Sequence, residues 1–186
     1  PVMENEDFVR NSTERCYYCK MMLFDAISRN AKKMKIRNIA DGSTTDDERD
    51  FRPGRRAKRK FGVRSPLLEA GINKKDVRAL LRKRGIDVWG KPQAACLASR
   101  IPYGTRITEE TLKMIASAER YLRKLGFNQL RVRAHGSIAR IEVGKSDMKN
   151  LLSKRSNIAR RFKELGFVYV TLDIEGYRSG SMNEAI

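Results

Sequence analysis

Two cysteines spaced as Cys16-Tyr17-Tyr18-Cys19 and a third in Cys96-Leu97-Ala98-Ser99-Arg100 are the residues best suited to chemistry in this sequence. A short CxxC can be two small buried hydrophobes. Here, however, it is flanked by Arg15 and Lys20, and positive charge favours the thiolate that binds metal or attacks an electrophile. A structural zinc site needs a fourth Cys or His, and the sole histidine, His135, falls in a hairpin-like segment. Iron–sulfur clusters are held by thiolates, and three of them on a four-iron cluster leave one iron open to an outside ligand. The pattern therefore predicts reactivity rather than a purely structural metal.

Composition bounds the setting for these thiols. The chain has 186 residues, 40 Lys and Arg against 22 Asp and Glu, and a formal charge of +18. That is enough length for one or two domains. An odd number of cysteines argues against a disulfide framework and for a reducing, cytoplasmic location. No stretch reaches the ~18 to 20 apolar residues of a membrane span, so no membrane partner is expected. The positive field suits phosphorylated or nucleic-acid ligands, although a solvated basic surface accounts for the same charge.

The elements that must position these residues read as follows. Residues 17–33 form an amphipathic helix, 36–40 and 63–68 read as short strands, and a basic helix follows Pro53. Asn73 caps a helix ending at Gly85. Strand and helix alternate, which predicts part of an α/β sheet. Beyond residue 104, Thr108 starts a helix, Leu130–Val143 alternates as a hairpin, a single helix runs from about Ser146 to Leu165, and 168–174 is a last strand. Leu125-Gly126-Phe127 and Leu165-Gly166-Phe167 read as the same capping device used twice. Arg131 and Arg133 share one strand face and could hold a phosphate. Glu119 reads as an exposed helical charge and Trp89 as core or interface packing.

Six strings then acquire meaning together: Arg15-Cys16-Tyr17-Tyr18-Cys19-Lys20, Asp41-Gly42-Ser43-Thr44-Thr45-Asp46-Asp47, Arg52-Pro53-Gly54, Arg64-Ser65-Pro66-Leu67-Leu68-Glu69-Ala70-Gly71, Cys96 through Gly104, and Glu175-Gly176-Tyr177-Arg178-Ser179-Gly180-Ser181. In this order they resemble the LarE family, ATP-dependent sulfur transferases of the PP-loop superfamily used in making the nickel-pincer nucleotide cofactor. The resemblance implies adenylation of a substrate carboxylate by ATP, then displacement of AMP by a sulfur nucleophile to leave a thiocarboxylate. The implied substrate is a pyridinium mononucleotide.

The family's Ser-Gly-Gly-Val-Asp-Ser type phosphate loop has no counterpart in these residues. ATP and Mg are therefore expected to bind through an N-terminal part outside this sequence or a separate PP-loop subunit, unless adenylation has been lost. The fold expected is α/β: residues 1–104 as the C-terminal portion of a PP-loop domain, and 105–186 as a small α+β sulfur-transfer module. Resemblance assigns Cys16, Cys19 and Cys96 to a 4Fe-4S cluster of the three-cysteine type, with Cys96 as the catalytic thiol. Family members with the loop cysteine alone instead sacrifice its sulfur. Ser99, Arg100, Arg131 and Arg178 are expected to contact substrate. A truncated α/β half would self-associate as a homo-oligomer or recruit the missing subunit. Two other functions fit less closely: a tRNA thiolation enzyme, whose polyanion would suit the charge, and a non-enzymatic metal-binding subunit.

Overall fold

The computed structural model describes residues 2–49, 53–90 and 95–178. The chain forms two compact units, Pro1–Phe8 with Ser12–Gln93, and Val9–Asn11 with Ala94–Ile186. The Cys96 loop thus belongs to the same unit as the C-terminal sheet.

The first unit is helical: α1 (Glu6–Val9, its last residue counted with the second unit), α2 (Arg15–Lys33), α3 (Gly54–Lys60), α4 (Pro66–Glu69) and α5 (Lys74–Lys83). Phe24, Ala57 and Val63 make its core, with Tyr17, Met21, Ile39 and Phe61 packed around them. The start of α3 lies against α2 because residue 54 is glycine. A Cβ there would meet the Lys20 Cγ at 3.0 Å and the Cys16 carbonyl at 3.4 Å. Asn73 caps α5 as the sequence leads one to expect, and Asp76 completes a reciprocal capping box with it.

The two strands expected in this unit do not form. Among its described residues, the stretches 36–40 and 63–68 meet in a single parallel bridge between Ala40 and Arg64. Pro66 stands at the start of α4, where its fixed φ suits a helix and its missing N–H costs nothing. Polar side chains hold the crossing. Asp41 accepts from the Ser65 hydroxyl at 2.7 Å and from Ser43, and the Lys58 ammonium lies 3.3 Å from its carboxylate. Burial opposes the Asp41 charge, but these hydroxyls and Lys58 hold its carboxyl below the ordinary range.

The second unit contains α6 (Glu109–Lys124), β1 (Leu130–His135), β2 (Ile138–Val143), α7 (Met148–Ser153), α8 (Arg155–Glu164) and β3 (Tyr169–Leu172). The expected single helix from Ser146 is interrupted at Lys154. Strands β1 and β2 form the predicted hairpin across Gly136-Ser137, with Val132 opposite Ile141 and Arg133 opposite Arg140. β3 returns parallel to β2, giving the order β1-β2-β3. The two Leu-Gly-Phe triplets are one device used twice. Gly126 and Gly166 take positive φ, and the Phe127 and Phe167 N–H groups each bond a carbonyl five residues back, on Leu122 and Phe162. Both phenylalanines are thereby turned into a core with Ile115, Leu122, Leu130, Val132, Ile141, Ile158 and Phe162.

Candidate sulfur-transfer site

Strand alternation sends Leu130, Val132, Ala139, Ile141 and Val143 into that core and puts Arg131, Arg133, Arg140 and Glu142 on the other face. Glu142 is fully buried there, paired with Arg133 and, at 3.1 Å, with Arg140. Beyond the end of β3, Asp173 lies 3.7 Å from Arg140 and 3.8 Å from Arg178, and Glu175 lies 2.7 Å from Arg178. The result is a ladder of alternating charge across the sheet. Arg133 stands at the end that meets the Cys96 loop, where its Nη1 donates to the Ser99 carbonyl at 2.9 Å.

Cys96 is exposed at the head of a short 3-10 turn, Leu97–Arg100. Both the Ser99 hydroxyl, at 2.6 Å, and the Arg100 Nη1, at 2.9 Å, donate to its carbonyl. Arg100 also donates to the Ala95 carbonyl, and its Nε reaches the Glu119 Oε1 at 2.9 Å. Arg100 is 2 % exposed and its guanidinium is directed inward, so in this geometry it positions the loop.

Glu119 differs from expectation. It is 1 % exposed rather than a surface charge. Its carboxylate receives Arg100, the Arg123 Nη2 at 2.8 Å and the Val132 N–H on the free edge of β1 at 3.3 Å. Desolvation alone would raise its pKa; the hydrogen bonds and charge of Arg100, reinforced by Arg123 and Val132, hold it below the ordinary glutamate range.

Arg131 is half-buried beside this loop. Its guanidinium lies 5.1 Å over the Tyr177 ring and donates to the Tyr177 hydroxyl at 3.2 Å. Burial, then the neighbouring positive charge of Arg100 and, more weakly, Arg133, lowers its pKa against the opposing effect of Tyr177 and Glu119. Tyr177 reaches it because Gly176, at φ +76°, lies where a Cβ would be 2.8 Å from both the Val143 carbonyl and Met148. The Tyr177 N–H then bonds that carbonyl at 2.9 Å. Arg178 occupies the far end of the charge ladder. The motif residues Arg52 and Ser179-Gly180-Ser181 lie outside the described residues.

In the first unit, Cys16 and Cys19 sit one turn apart on α2, Cys16 exposed and Cys19 half-buried. They share a side of the helix with Leu23, itself 44 % exposed, whereas Tyr17 and Met21 face the core. Away from the thiols, Glu14, Tyr17, Tyr18 and Arg56 line an open cleft of about 360 Å³. Arg56 stacks 4.8 Å over Tyr17 and pairs with Glu14. All three cysteines are thiols. Within either unit, the described residues gather no group of three metal-binding side chains. The donors themselves are of the type an iron–sulfur cluster takes, with two of them on one helix side.

The structural partners Glu119, Glu142 and Tyr177 escape sequence reading, although the register of Arg133 against Arg140 carries a signal for Glu142. Of the two packing roles expected for Trp89, core or interface, its exposure removes the core one. Trp89 is 41 % exposed, with the Arg82 guanidinium 5.3 Å over its ring. No helix among the described residues is long and apolar enough to cross a membrane.

No family model matches the chain. An uncharacterized protein of Synechocystis is 41% identical over 99% of this chain and 69% of its own length. The pyridinium-3,5-bisthiocarboxylic acid mononucleotide synthase of Lactiplantibacillus plantarum is 39% identical over 98% of this chain and 66% of its own length. An uncharacterized protein of Methanocaldococcus jannaschii is 33% identical over 96% of this chain and 69% of its own length. The chain spans about two thirds of the length of these relatives, and nearly all of it is matched in each. By these alignments, which run over nearly all of its residues, the chain belongs to the LarE family.

Proposed function

We propose that this chain transfers sulfur to the adenylated carboxylate of a pyridinium mononucleotide. The observation that carries the reading is the Cys96 loop. An exposed thiol is fixed by Arg100, Glu119 and Arg133 to a sheet face rich in arginine. A sulfide-level sulfur attacks the acyl carbon, a C–S bond forms as the C–O bond to phosphate breaks, AMP leaves with the bonding electrons, and the S–H proton passes to solvent, leaving the thiocarboxylate. Were the attacking sulfur that of Cys96 itself, the product would be a thioester, and release of the thiocarboxylate would also break the Cys96 Cβ–Sγ bond with loss of the Cα proton, leaving dehydroalanine. Arg131 would face the substrate phosphate, with Tyr177 orienting its guanidinium and Arg178 contributing from the far end of the ladder. The relative named as a synthase supports the substrate class.

Cys16, Cys19 and Cys96 would together hold a 4Fe-4S cluster, which when bound supplies an open iron able to carry the sulfur to be transferred. ATP and Mg would act through an N-terminal segment or a separate PP-loop subunit, so the reaction assigned to these residues is the sulfur-transfer half. The test supplies a synthetic acyl adenylate of the mononucleotide to protein reconstituted anaerobically with iron and isotopically labelled sulfide. Labelled thiocarboxylate over several turnovers is expected. Unlabelled product, one per chain, with loss of sulfur from Cys96 would make Cys96 a sacrificial donor and overturn the cluster-borne route.

A further inference from the structure

Lys75, Arg78 and Arg82 recur at i, i+3 and i+7 on α5 and are all exposed, forming one cationic stripe with steps of about 5 and 6 Å along the helix axis. Across residues 74–90 six Lys and Arg face two acidic residues, Asp76 and Asp87. Asp76 is engaged in the cap with Asn73, and Lys74 is paired with Asp47 at 2.9 Å. At the end of the stripe the 3-10 turn Asp87–Gly90 presents Trp89. The Arg78 Nη1 donates to its carbonyl at 3.2 Å, while Arg82 stacks over its ring. The indole, 41 % exposed with Arg82 over its ring, thus stands at the end of a row of cations, where a base would stack by displacing or sandwiching that guanidinium.

We infer that the α5–Trp89 surface binds single-stranded nucleic acid, with the cations following the phosphates and a base stacking on the indole. An acidic protein segment would use the charge but not an exposed stacking plane, so the aromatic residue favours nucleic acid. The inference is independent of the sulfur-transfer reading, since it uses none of the cysteines or the sheet arginines.

Trp89 is the sole tryptophan, so its fluorescence reports on this surface directly. The full chain is titrated with labelled single-stranded RNA and DNA of about 12 nucleotides, with oligoglutamate of matched charge in parallel. Expected are quenching of Trp89 on binding, a slope of log affinity against log salt near −2 for three phosphate contacts, and roughly tenfold weaker binding of Trp89→Ala, restored by Trp89→Phe. Lys75→Glu with Arg82→Glu should abolish binding while the circular dichroism stays unchanged, and Cys96→Ser should bind as the parent does. Absence of binding, binding without a change in Trp89 fluorescence or without sensitivity to Trp89→Ala, or equal affinity for oligoglutamate would each overturn the proposal. The last of these outcomes would indicate an acidic protein partner.

Discussion

The two cysteine-bearing regions are held in opposite ways. Cys16 and Cys19 sit on α2, whose backbone hydrogen bonds are internal to the helix, so spacing alone puts both thiols on one side. Cys96 sits on a loop with little regular structure of its own, and its position depends on the loop's own Arg100 and on side chains from elsewhere in its unit, Glu119 on α6 and Arg133 on β1. A helix can therefore display a pair of ligands cheaply, whereas a single reactive thiol on a loop requires buried charge to fix it.

The contrast predicts unequal responses to substitution. Glu119→Ala leaves the Arg100 guanidinium buried without its carboxylate and should cost about 3 to 5 kcal/mol in a urea titration. The Cys96 thiol should then react faster with a disulfide reagent. Cys19→Ala in metal-free protein should change stability far less, on the order of 1 kcal/mol. Gly176→Ala comes next, at about 1 to 3 kcal/mol, since a side chain there must adopt a left-handed backbone against the Val143 carbonyl; equal stability of the variant and parent would show that the Glu175–Arg178 turn relaxes freely.

Acid should act through the same carboxylate. The folded pKa of Glu119 is depressed, so its contribution is present above the unfolded value of about 4.3 and is lost as pH falls through the folded value. Glu119→Gln should flatten that part of the stability–pH curve, and an unchanged curve would remove Glu119 from the account. The smallest effect is Ser99→Ala, about 0.5 to 1.5 kcal/mol for one hydrogen bond to the Cys96 carbonyl.

Legibility followed the same division. The α2 helix, the Asn73 cap of α5, the hairpin and both Leu-Gly-Phe caps are set by neighbours within a few residues, and all are readable from the sequence. The two strands expected in the first unit were not, because Pro66 and the Asp41–Ser65–Lys58 contacts turn that chain into a bridge and a helix. Glu119 departs from its expected surface position for a related reason. Its position in the helix reveals nothing of the Arg100 that arrives from another segment. In the candidate site, Arg100 and Arg133 are visible in the sequence as cations, but their buried pairing with Glu119 and Glu142 is set by the fold.

Leu23, Ile27, Met34 and Ile36 remain exposed by 36 % to 70 % on the first unit, a patch that we expect to drive self-association or binding of an ATP-handling subunit. Light scattering should show an assembly larger than one chain, and a clean monomer at working concentration would contradict this.

The central claim is that cysteines held in such different ways serve one cluster. Anaerobic reconstitution followed by iron and acid-labile sulfide analysis tests it most directly. A shared cluster should give brown protein with about four iron and four sulfide per chain, and loss of both colour and iron in each of Cys16→Ala, Cys19→Ala and Cys96→Ala. A colourless product carrying zinc, or a full complement of iron in any one of those variants, would contradict it.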